Sequence, residues 1–253
     1  MNAQKQEQQK EEASFGFQRV DADAKQGMVR GVFSSVASNY DIMNDFMSGG
    51  MHRLWKNEFV RHVHAGSDAA ILDLAGGTGD IAIRLHARTG ASVTVCDINH
   101  DMLKAGVARQ YDAGKSDGLR FVCGNAEMLP VPDGSLDIIT IAFGLRNVTH
   151  IDKALASAYA ALKPGGKFLC LEFSHVTNPL LKKMYDEYSF RVIPKIGEIV
   201  AKDRDSYQYL VESIRMFPKQ EELKKRMEAV GFSRVKYTNL TFGTVAIHEG
   251  WKI

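Results

Sequence analysis

Ile71-Leu72-Asp73-Leu74-Ala75-Gly76-Gly77-Thr78-Gly79 is the stretch of this sequence that decides the fold. A short apolar run carries an acid near its end and then breaks into a glycine-rich turn, and residues 80–85 continue with helical composition and spacing. The pattern predicts a buried strand, a loop and a helix. At such a junction, backbone N–H groups point outward at the positive end of the helix dipole, which suits a carboxylate or phosphate, and glycines let a ligand approach the backbone.

A second acid, Asp97, follows the next predicted strand at residues 92–96. It stands about 20 residues beyond the glycine loop, at a strand tip where a carboxylate can accept hydrogen bonds from ribose hydroxyls. The loop and this acid together predict a site for a cofactor that contains a nucleoside. The alternative is a tight turn with a helix-capping acid and no ligand, which either feature alone would fit as well.

Two cofactors compete for this site. Residues 77–82 satisfy the GxGxxG/A pattern of dinucleotide-binding proteins. Asp73 favours S-adenosylmethionine instead, because a pyrophosphate gains nothing from a neighbouring carboxylate. The amino-acid end of S-adenosylmethionine carries an ammonium group that the acid can hold through water. The candidate cofactor-binding residues of the loop and the strand tip are Asp73, Gly76, Gly77, Thr78, Gly79 and Asp97.

The remaining sequence alternates strand-like and helix-like segments and ends in two β-like runs. Strands are predicted at 119–123, 136–143 and 167–172, a last helix at 220–230, and the closing runs at 234–240 and 243–250. This order resembles the class I S-adenosylmethionine-dependent methyltransferase fold, an α/β Rossmann-like architecture with a mostly parallel sheet and a C-terminal antiparallel hairpin. The resemblance implies that Asn125 and Ala126, after the third strand, line the adenine edge of the cofactor.

The composition indicates a single soluble enzyme. The 253 residues are 45% hydrophobic, and the formal net charge of +2 gives no argument for a nucleic-acid partner. No apolar run approaches the ~20 residues that span a bilayer, and the N-terminus has no hydrophobic segment. Cys96, Cys123 and Cys170 form no CxxC pair, and the histidines are scattered. We therefore expect reduced cysteines, a cytoplasmic location and no metal site.

The chain divides into three predicted parts. Residues 1–25 are polar and are predicted to be disordered, although Phe15-Gly16-Phe17 is suited to dock as a short anchor. Residues 26–69 are predicted to form a helical cap. Residues 70–253 carry the cofactor-binding domain, with a helical insertion at about 174–218.

The cap and the insertion are expected to select the substrate. Both are rich in aromatic side chains, the cap also in methionine, and the insertion interleaves its aromatic residues with basic ones. Ordinary amphipathic packing explains most of these residues. The same composition also suits a pocket for a large apolar ligand, and a basic, aromatic helical surface suits contact with anionic lipid headgroups. The sequence leaves these alternatives open.

A more specific resemblance begins in the cap. Tyr40-Asp41-x-Met43-Asn44-x-x-Met47-Ser48-x-x-x-His52-x-x-Trp55 is similar to the first signature of the UbiE/MenG/COQ5 C-methyltransferases of ubiquinone and menaquinone synthesis. The second signature is matched from Leu162-Lys163-Pro164-Gly165-Gly166 through Leu171-Glu172-Phe173-Ser174. Phe143-Gly144-Leu145-Arg146-Asn147-Val148 is also typical of that family. The likeness covers almost everything after residue 14.

The resemblance implies methylation of a ring carbon of a polyprenyl hydroquinone, with S-adenosylmethionine as the methyl donor. The implied acceptors are demethylmenaquinol, 2-methoxy-6-polyprenyl-1,4-benzoquinol, or both. Candidate partners are a prenylated quinol drawn from the membrane, the inner face of the cell membrane as a peripheral contact, other quinone-biosynthesis proteins and a second copy of the chain. The competing classes are an NAD(P)-dependent oxidoreductase and a non-catalytic quinone-pathway scaffold.

Four residues are candidates for the chemistry. Arg146 and Asn147 follow the 136–143 strand, at the edge where the reacting end of the cofactor is expected. Arg146 is either a clamp that stabilises a developing phenolate and positions water, or a salt-bridge partner of Asp152 or another acid. Asn147 either hydrogen-bonds the other ring oxygen or caps a turn. Tyr40 and His52, from the cap, either orient the ring or relay a proton, or they serve packing.

Overall fold

The computed structural model of the chain describes residues 11–36, 45, 48–112, 118–176 and 203–253, with the single positions 183, 187, 191, 195 and 198. The strands in these ranges are β1 (Glu12–Phe15), β2 (Gln18–Asp21), β3 (Ile71–Leu74), β4 (Val93–Asp97), β5 (Leu119–Cys123), β6 (Leu136–Ala142), β7 (Leu162–Phe173), β8 (Ser233–Leu240) and β9 (Val245–Trp251). The helices are α1 (Ala22–Val36), α2 (His52–Arg61), α3 (Asp80–Thr89), α4 (His100–Asp112), α5 (Ile151–Ala161), α6 (Arg204–Met216) and α7 (Gln220–Val230). A 3-10 turn at Leu145–Asn147 follows β6.

The larger sheet of the described chain has the strand order β5-β4-β3-β6-β7-β9-β8. The first five strands in this order pair in parallel, and β9 pairs antiparallel with both β7 and β8. The predicted fold, a mostly parallel sheet closed by a C-terminal antiparallel hairpin, is confirmed. Parallel strands bring their carboxyl ends to one edge of the sheet, which is where ligands bind in open α/β sheets.

Helices cover both faces of the sheet, and most residues of the central strands β3 and β6 are apolar and buried. Ile71 of β3 packs into a cluster with apolar residues of α2, α3 and α6. Leu72 and Leu74 pack into a second cluster with residues of α5 and α7. The sequence of α2 suits its place because its buried residues recur at helical spacing: His52, Trp55, Lys56, Phe59 and Val60.

The N-terminal segment is structured from Glu12 onward, so the predicted disorder of residues 1–25 is wrong for residues 12–25. β1 and β2 pair as an antiparallel hairpin around Gly16, whose φ is 58°. α1 follows directly from Ala22, ahead of the predicted start of the cap at residue 26. Residues 12–25 are ordered because the predicted anchor docks: Phe15 stacks on Tyr209 of α6 with ring centroids 4.2 Å apart. Residues 1–10 lie outside the described residues.

Within the predicted insertion, α6 is the described helix. Asp203 caps it by accepting a hydrogen bond from the Ser206 N–H, and its residues Tyr207, Leu210 and Ile214 join the first apolar cluster.

Nearer the C-terminus, Gly231 ends α7 in a left-handed conformation with φ of 119°. The predicted last helix and the two closing β runs are therefore confirmed within a few residues.

Candidate active site

A cavity opens at the carboxyl ends of the parallel strands β3 to β6. Its empty space, including the solvent in its mouth, is about 800 Å³. Its walls include Gly77, Asp97, Asn125, Ala126 and Asn147 from the strand-end loops, and Val29, Arg30 and Phe33 from α1. Five of the predicted site residues therefore meet in one place.

The glycine loop between β3 and α3 adopts conformations that favour glycine. Gly77 and Gly79 have φ values of 54° and 81°. A Cβ on Gly76 would lie 2.8 Å from Asp73 Oδ2, so the loop would have to move. Of the predicted loop residues, Gly77 reaches the cavity. The other predicted loop residues do not line the cavity: Asp73, Gly76, Thr78 and Gly79.

Asp97, at the end of β4, holds this loop from the neighbouring strand. Its Oδ2 accepts a hydrogen bond from the Gly77 N–H at 2.9 Å, and its Oδ1 accepts one from the Asn99 N–H at 2.8 Å. Burial raises the pKa of the Asp97 carboxyl, and these backbone hydrogen bonds act in the opposite direction. A carboxylate has about four acceptor positions, so Asp97 keeps capacity for hydroxyl groups of a ligand in the cavity.

Asp73 lies within β3 and is fully buried. Its Oδ1 accepts a hydrogen bond from Thr140 Oγ1 at 2.8 Å, and its Oδ2 has no partner in hydrogen-bond geometry among the described residues. Burial raises the pKa of Asp73 to about 7; Asp80 and Asp97 add to the rise, whereas Thr140 opposes it. Asp73 is thus a buried acid that exchanges a proton near neutral pH, rather than a fixed anion.

Arg146 forms a buried ion pair with Glu172 of β7. Its Nη1 lies 2.9 Å from Glu172 Oε1 and 3.0 Å from Oε2, and it also donates to the Phe143 carbonyl at 2.6 Å. Burial raises the pKa of the Glu172 carboxyl, and Arg146 counteracts this. Arg146 is not part of the cavity wall. The observed arrangement is the salt-bridge alternative with Glu172 as the acid, while Asp152 lies 3.5 Å from Arg226.

Asn147 is the catalytic candidate that faces the cavity. Its Nδ2 donates to the Phe143 carbonyl at 3.4 Å, and its Oδ1 accepts a hydrogen bond from the Tyr209 hydroxyl at 3.1 Å. Phe143 itself has φ of 56°, an uncommon value for a bulky residue. Backbone strain of this kind often accompanies functional sites.

His52, at the start of α2, forms a dyad with Asp45. Its Nε2 lies 2.8 Å from Asp45 Oδ1, and Arg53 binds Oδ2 of the same carboxylate at 2.8 Å. Burial lowers the pKa of His52, although the hydrogen bond with Asp45 opposes this. Its Nδ1 is buried without a partner in the described part of the chain. Tyr40, the other cap candidate, lies outside the described residues.

Residues 20–252 match the family model described as the ubiE/COQ5 methyltransferase family. The chain belongs to this family. A ubiE/COQ5 methyltransferase uses S-adenosylmethionine as its methyl donor, so the oxidoreductase alternative is excluded. The match runs from the second strand of the N-terminal hairpin to the end of the terminal hairpin, and therefore includes the cavity and the dyad.

Relatives of this ubiE/COQ5 methyltransferase are similar over nearly their whole length. The chain is 55% identical, over 96% of its length, to the ubiquinone/menaquinone biosynthesis C-methyltransferase UbiE of Brucella suis, of which it covers 91%. It is 48% identical, over 98% of its length, to the mitochondrial 2-methoxy-6-polyprenyl-1,4-benzoquinol methylase of Xenopus laevis, of which it also covers 91%. The name of the first relative covers two kinds of quinone, and that of the second a benzoquinol.

Solved structures share the fold at low sequence identity. A methyltransferase of Thermotoga maritima that depends on S-adenosylmethionine superposes with a TM-score of 0.64 at 18% identity, over 89% of this chain and 100% of that one. The [4+2]-cyclase SpnF superposes with a TM-score of 0.66 at 15% identity, over 90% and 96% of the two chains. Because a cyclase shares the architecture, the fold by itself does not assign the reaction.

Three residues at the site of this ubiE/COQ5 methyltransferase were missed by sequence reasoning: Lys25, Glu172 and Tyr209. The buried Lys25 amine donates to the carbonyl of Val148, a cavity residue, at 2.9 Å, and burial lowers its pKa. Glu172 carried a usable signal, because an acid at the end of a buried strand needs a cationic partner. Lys25 and Tyr209 carried no such signal in the sequence, because only the packing of α1 and α6 brings them near the cavity.

The described ranges also bear on metal ligation and on membrane spanning. Among those residues, no group of three or more His, Cys, Asp and Glu side chains is placed to hold a metal ion. The helices described in the same ranges are each too short or too polar to span a bilayer.

Proposed function

We propose that this methyltransferase methylates a ring carbon of a polyprenyl hydroquinone, with demethylmenaquinol and 2-methoxy-6-polyprenyl-1,4-benzoquinol as its acceptors. The observation that carries the proposal is the cavity that Gly77, Asp97 and Asn147 line together. A ring held at Asn147 would lie at the carboxyl ends of the strands, where the reacting end of the cofactor is expected. The acceptor class is supported by the names of the relatives.

The residues of the cavity fit S-adenosylmethionine. Asp97 has free acceptor capacity for ribose hydroxyls. Gly77 borders the cavity with its N–H donated to Asp97, and Asn125 and Ala126 border it where the adenine is expected. A Cβ on Gly77 would lie 3.1 Å from the Met102 methyl group, so glycine keeps this part of the cradle open. When bound, the cofactor supplies a sulfonium methyl group, which is already electrophilic.

Methylation on carbon requires an electron-rich ring. Ionising or polarising one hydroquinone hydroxyl raises the charge on the ortho carbon, whereas the oxidised quinone is electron-poor. After the methyl group is transferred, a base must remove the ring proton to restore aromaticity. The protein therefore has to stabilise a phenolate oxygen and provide a proton acceptor.

Asn147 is the proposed hydrogen-bonding partner of a ring oxygen. Arg146 supports it from behind the cavity wall, because its bonds to Glu172 and to the Phe143 carbonyl fix the turn that carries Asn147. A direct contact between Arg146 and the phenolate, as the sequence suggested, stays a prediction.

His52 is the proposed proton acceptor. Two contacts give the direction of α2. Near its start, Trp55 contacts Phe143 at the carboxyl end of β6; just beyond its end, the His62 carbonyl accepts a hydrogen bond from Lys167, which pairs with the start of β6. α2 therefore runs antiparallel to the parallel strands. His52 precedes Trp55 by one helical turn on the same face, so it lies at the carboxyl edge of the sheet. The Asp45 carboxylate accepts from Nε2–H, so Nδ1 carries the lone pair in the neutral imidazole, and the lowered pKa of His52 favours that neutral form.

Two exposed apolar side chains support a prenylated acceptor as candidate contacts for its tail. Leu54 and Phe242 are 59% and 68% exposed, and the bond from Trp55 Nε1 to Thr241 Oγ1 at 2.8 Å holds their segments together. Each CH₂ of a prenyl tail that is buried there would contribute roughly 0.8 kcal/mol before ordering costs. Contacts with the membrane, with other quinone-biosynthesis proteins and with a second copy of the chain stay predictions.

An anaerobic assay with labelled S-adenosylmethionine tests the reaction. We expect label on a ring carbon of a prenylated naphthoquinol and of a prenylated benzoquinol, located by mass spectrometry, and no transfer to the matching quinones. Equal rates with the quinone, or label on oxygen, would contradict the mechanism. Tight quinol binding without turnover would instead favour a non-catalytic scaffold.

Two neighbouring substitutions test the proton acceptor. His52→Gln should lower turnover by about 10²- to 10⁴-fold, the usual contribution of a general base, without weakening cofactor binding. Arg53→Ala is the matched control, since it removes the other partner of Asp45 from an exposed position. If the two variants turn over alike, His52 is not the base.

A further inference from the structure

The Asn147 amide has a defined orientation at the cavity wall. The Phe143 carbonyl can only accept a hydrogen bond, so the amide atom 3.4 Å from it is the nitrogen. The oxygen of the amide then faces Tyr209, whose hydroxyl lies 3.1 Å away and donates to it. With its oxygen occupied and one N–H directed at Phe143, Asn147 has one further N–H to offer.

The Tyr209 hydroxyl stays protonated and fixed in place, so it remains a hydrogen-bond donor to Asn147. Tyr209 is 4% exposed, and burial raises the pKa of its hydroxyl above the ordinary value, so the hydroxyl stays protonated. One face of its ring is covered by Phe15, with ring centroids 4.2 Å apart and an interplanar angle of 17°. The hairpin that carries Phe15 is fixed to the same helix, because the Phe17 N–H donates to Glu212 Oε2 at 3.0 Å.

We propose that Tyr209 is a positioning residue that acts through Asn147, and that Phe15 holds Tyr209 in place. The hydroxyl of Tyr209 keeps the Asn147 oxygen turned inward, so that the free N–H of the amide meets the ring oxygen of the acceptor. Without this bond only the longer contact with the Phe143 carbonyl, at 3.4 Å, orients the amide. The amide then turns over more readily and presents its oxygen, which repels a phenolate. The inference rests on the proposed function, because it assumes a quinol ring oxygen at Asn147.

Tyr209→Phe removes only the donor hydroxyl. Turnover should fall roughly 10-fold, equivalent to the loss of one oriented hydrogen bond, while calorimetry shows unchanged affinity for S-adenosylmethionine. The rising limb of the pH profile of turnover should move to higher pH, since the acceptor phenolate loses stabilisation. A purely structural tyrosine would not move that limb.

Tyr207→Phe is the matched control. Tyr207 lies two residues earlier on α6, is fully buried, and its hydroxyl has no hydrogen-bond partner within the described ranges. The control variant should keep the turnover and the pH profile of the parent. Phe15→Ala should give a partial loss in the same direction as Tyr209→Phe, because it frees the tyrosine ring without removing the hydroxyl.

A double-variant cycle decides whether Tyr209 acts through Asn147. If it does, Asn147→Ala with Tyr209→Phe turns over like Asn147→Ala alone. If the turnover loss of the double variant is the product of the two single losses, the inference is overturned and the proposed function stands. The same holds if the parent is active and Tyr209→Phe turns over like the parent. If the parent methylates no quinol, the proposed function fails. The NMR signal of the Asn147 side-chain amide then tests whether Tyr209 positions that amide. That signal should shift with Tyr209→Phe and not with Tyr207→Phe, and an unmoved signal would overturn the inference.

Discussion

The candidate site has a proposed cofactor half, with Gly77, Asp97 and Asn125 on the cavity wall and Asp73 behind it. The proposed acceptor half has Asn147 on the wall, and four residues outside the wall: His52, Arg146, Glu172 and Tyr209. In the cofactor half the defining bond joins the Gly77 N–H to a carboxylate 20 residues later. In the acceptor half the bonds join side chains from separate elements, such as Asn147 and Tyr209, which are 62 residues apart. One half depends on backbone geometry within two adjacent βα units, and the other on how distant helices pack.

This difference has an energetic consequence. The glycine loop also has backbone hydrogen bonds, from the Gly76 N–H to the Cys96 carbonyl and from the Gly79 N–H to the Gly76 carbonyl. We therefore expect it to keep its conformation when the Asp97 side chain is lost. The buried ion pair of Arg146 and Glu172 does not tolerate such a loss, since removing either partner leaves a charge without compensation in the interior. We therefore expect the loss of either partner of this ion pair to affect folding, and the loss of the Asp97 carboxylate to affect binding.

The largest effect is expected at Glu172. Glu172→Ala leaves the Arg146 guanidinium buried and unpaired, and should lower the free energy of unfolding by about 3–5 kcal/mol. Urea denaturation followed by circular dichroism measures the change. Glu58→Ala, which breaks an exposed pair with Arg61, is the control and should cost less than about 1 kcal/mol.

A second variant separates the loss of the pair from the loss of packing. Replacing both partners at once, with Arg146→Met and Glu172→Leu, should recover most of the lost stability because no charge is left unpaired. The comparison of the two halves breaks down if Glu172→Ala unfolds at the same urea concentration as Glu58→Ala.

A smaller effect, on binding rather than folding, is expected at Asp97. Asp97→Ala removes the acceptor for the Gly77 N–H and for ribose hydroxyls, so the binding free energy of S-adenosylmethionine should weaken by about 1.5–3 kcal/mol. Calorimetry would record roughly a 10- to 150-fold loss of affinity. Asp101→Ala, which removes an acid from an exposed position on α4, should bind like the parent. Unchanged affinity in a folded Asp97 variant would remove this residue from the site.

The smallest net effect is expected in the pH dependence of stability, because two buried groups oppose each other. The pKa of Asp73 is raised to about 7, so the folded state holds more protons than the unfolded one and gains stability as the pH falls from 7 to 5. The pKa of His248, on β9, is lowered by burial to about 4, so the unfolded state takes up the proton first and stability is lost over the same interval. Each contribution is roughly 2 kcal/mol.

Substitutions at these two groups should separate the opposing slopes. Thermal or urea unfolding of Asp73→Asn without cofactor should show stability falling from pH 7 to pH 5 more steeply than in the parent. His248→Gln should show the opposite change, with stability rising relative to the parent. Other carboxylates add the same background to both variants, so parallel pH curves would mean that neither group carries its shifted pKa.

The sequence by itself determined the sheet and the cofactor half. Apolar strands, the glycine pattern and the acid at the end of β4 are local features, and local features fix backbone conformation directly. The parallel order of the strands then brings Gly77, Asp97 and Asn125 together at one edge with no further information. The two signatures quoted from the sequence also identified the family to which the chain belongs.

Only the tertiary structure decided the acceptor half. Nothing in the spacing of Arg146 favours Glu172 over Asp152, because the choice depends on which strand end lies beside the turn after β6. Disorder of residues 12–25 was a reasonable prediction from their polarity, but Phe15 finds a ring on α6 that the sequence does not place nearby. The partner of a side chain depends on the packing of elements far apart in the chain, and that packing is a property of the whole fold rather than of any local pattern.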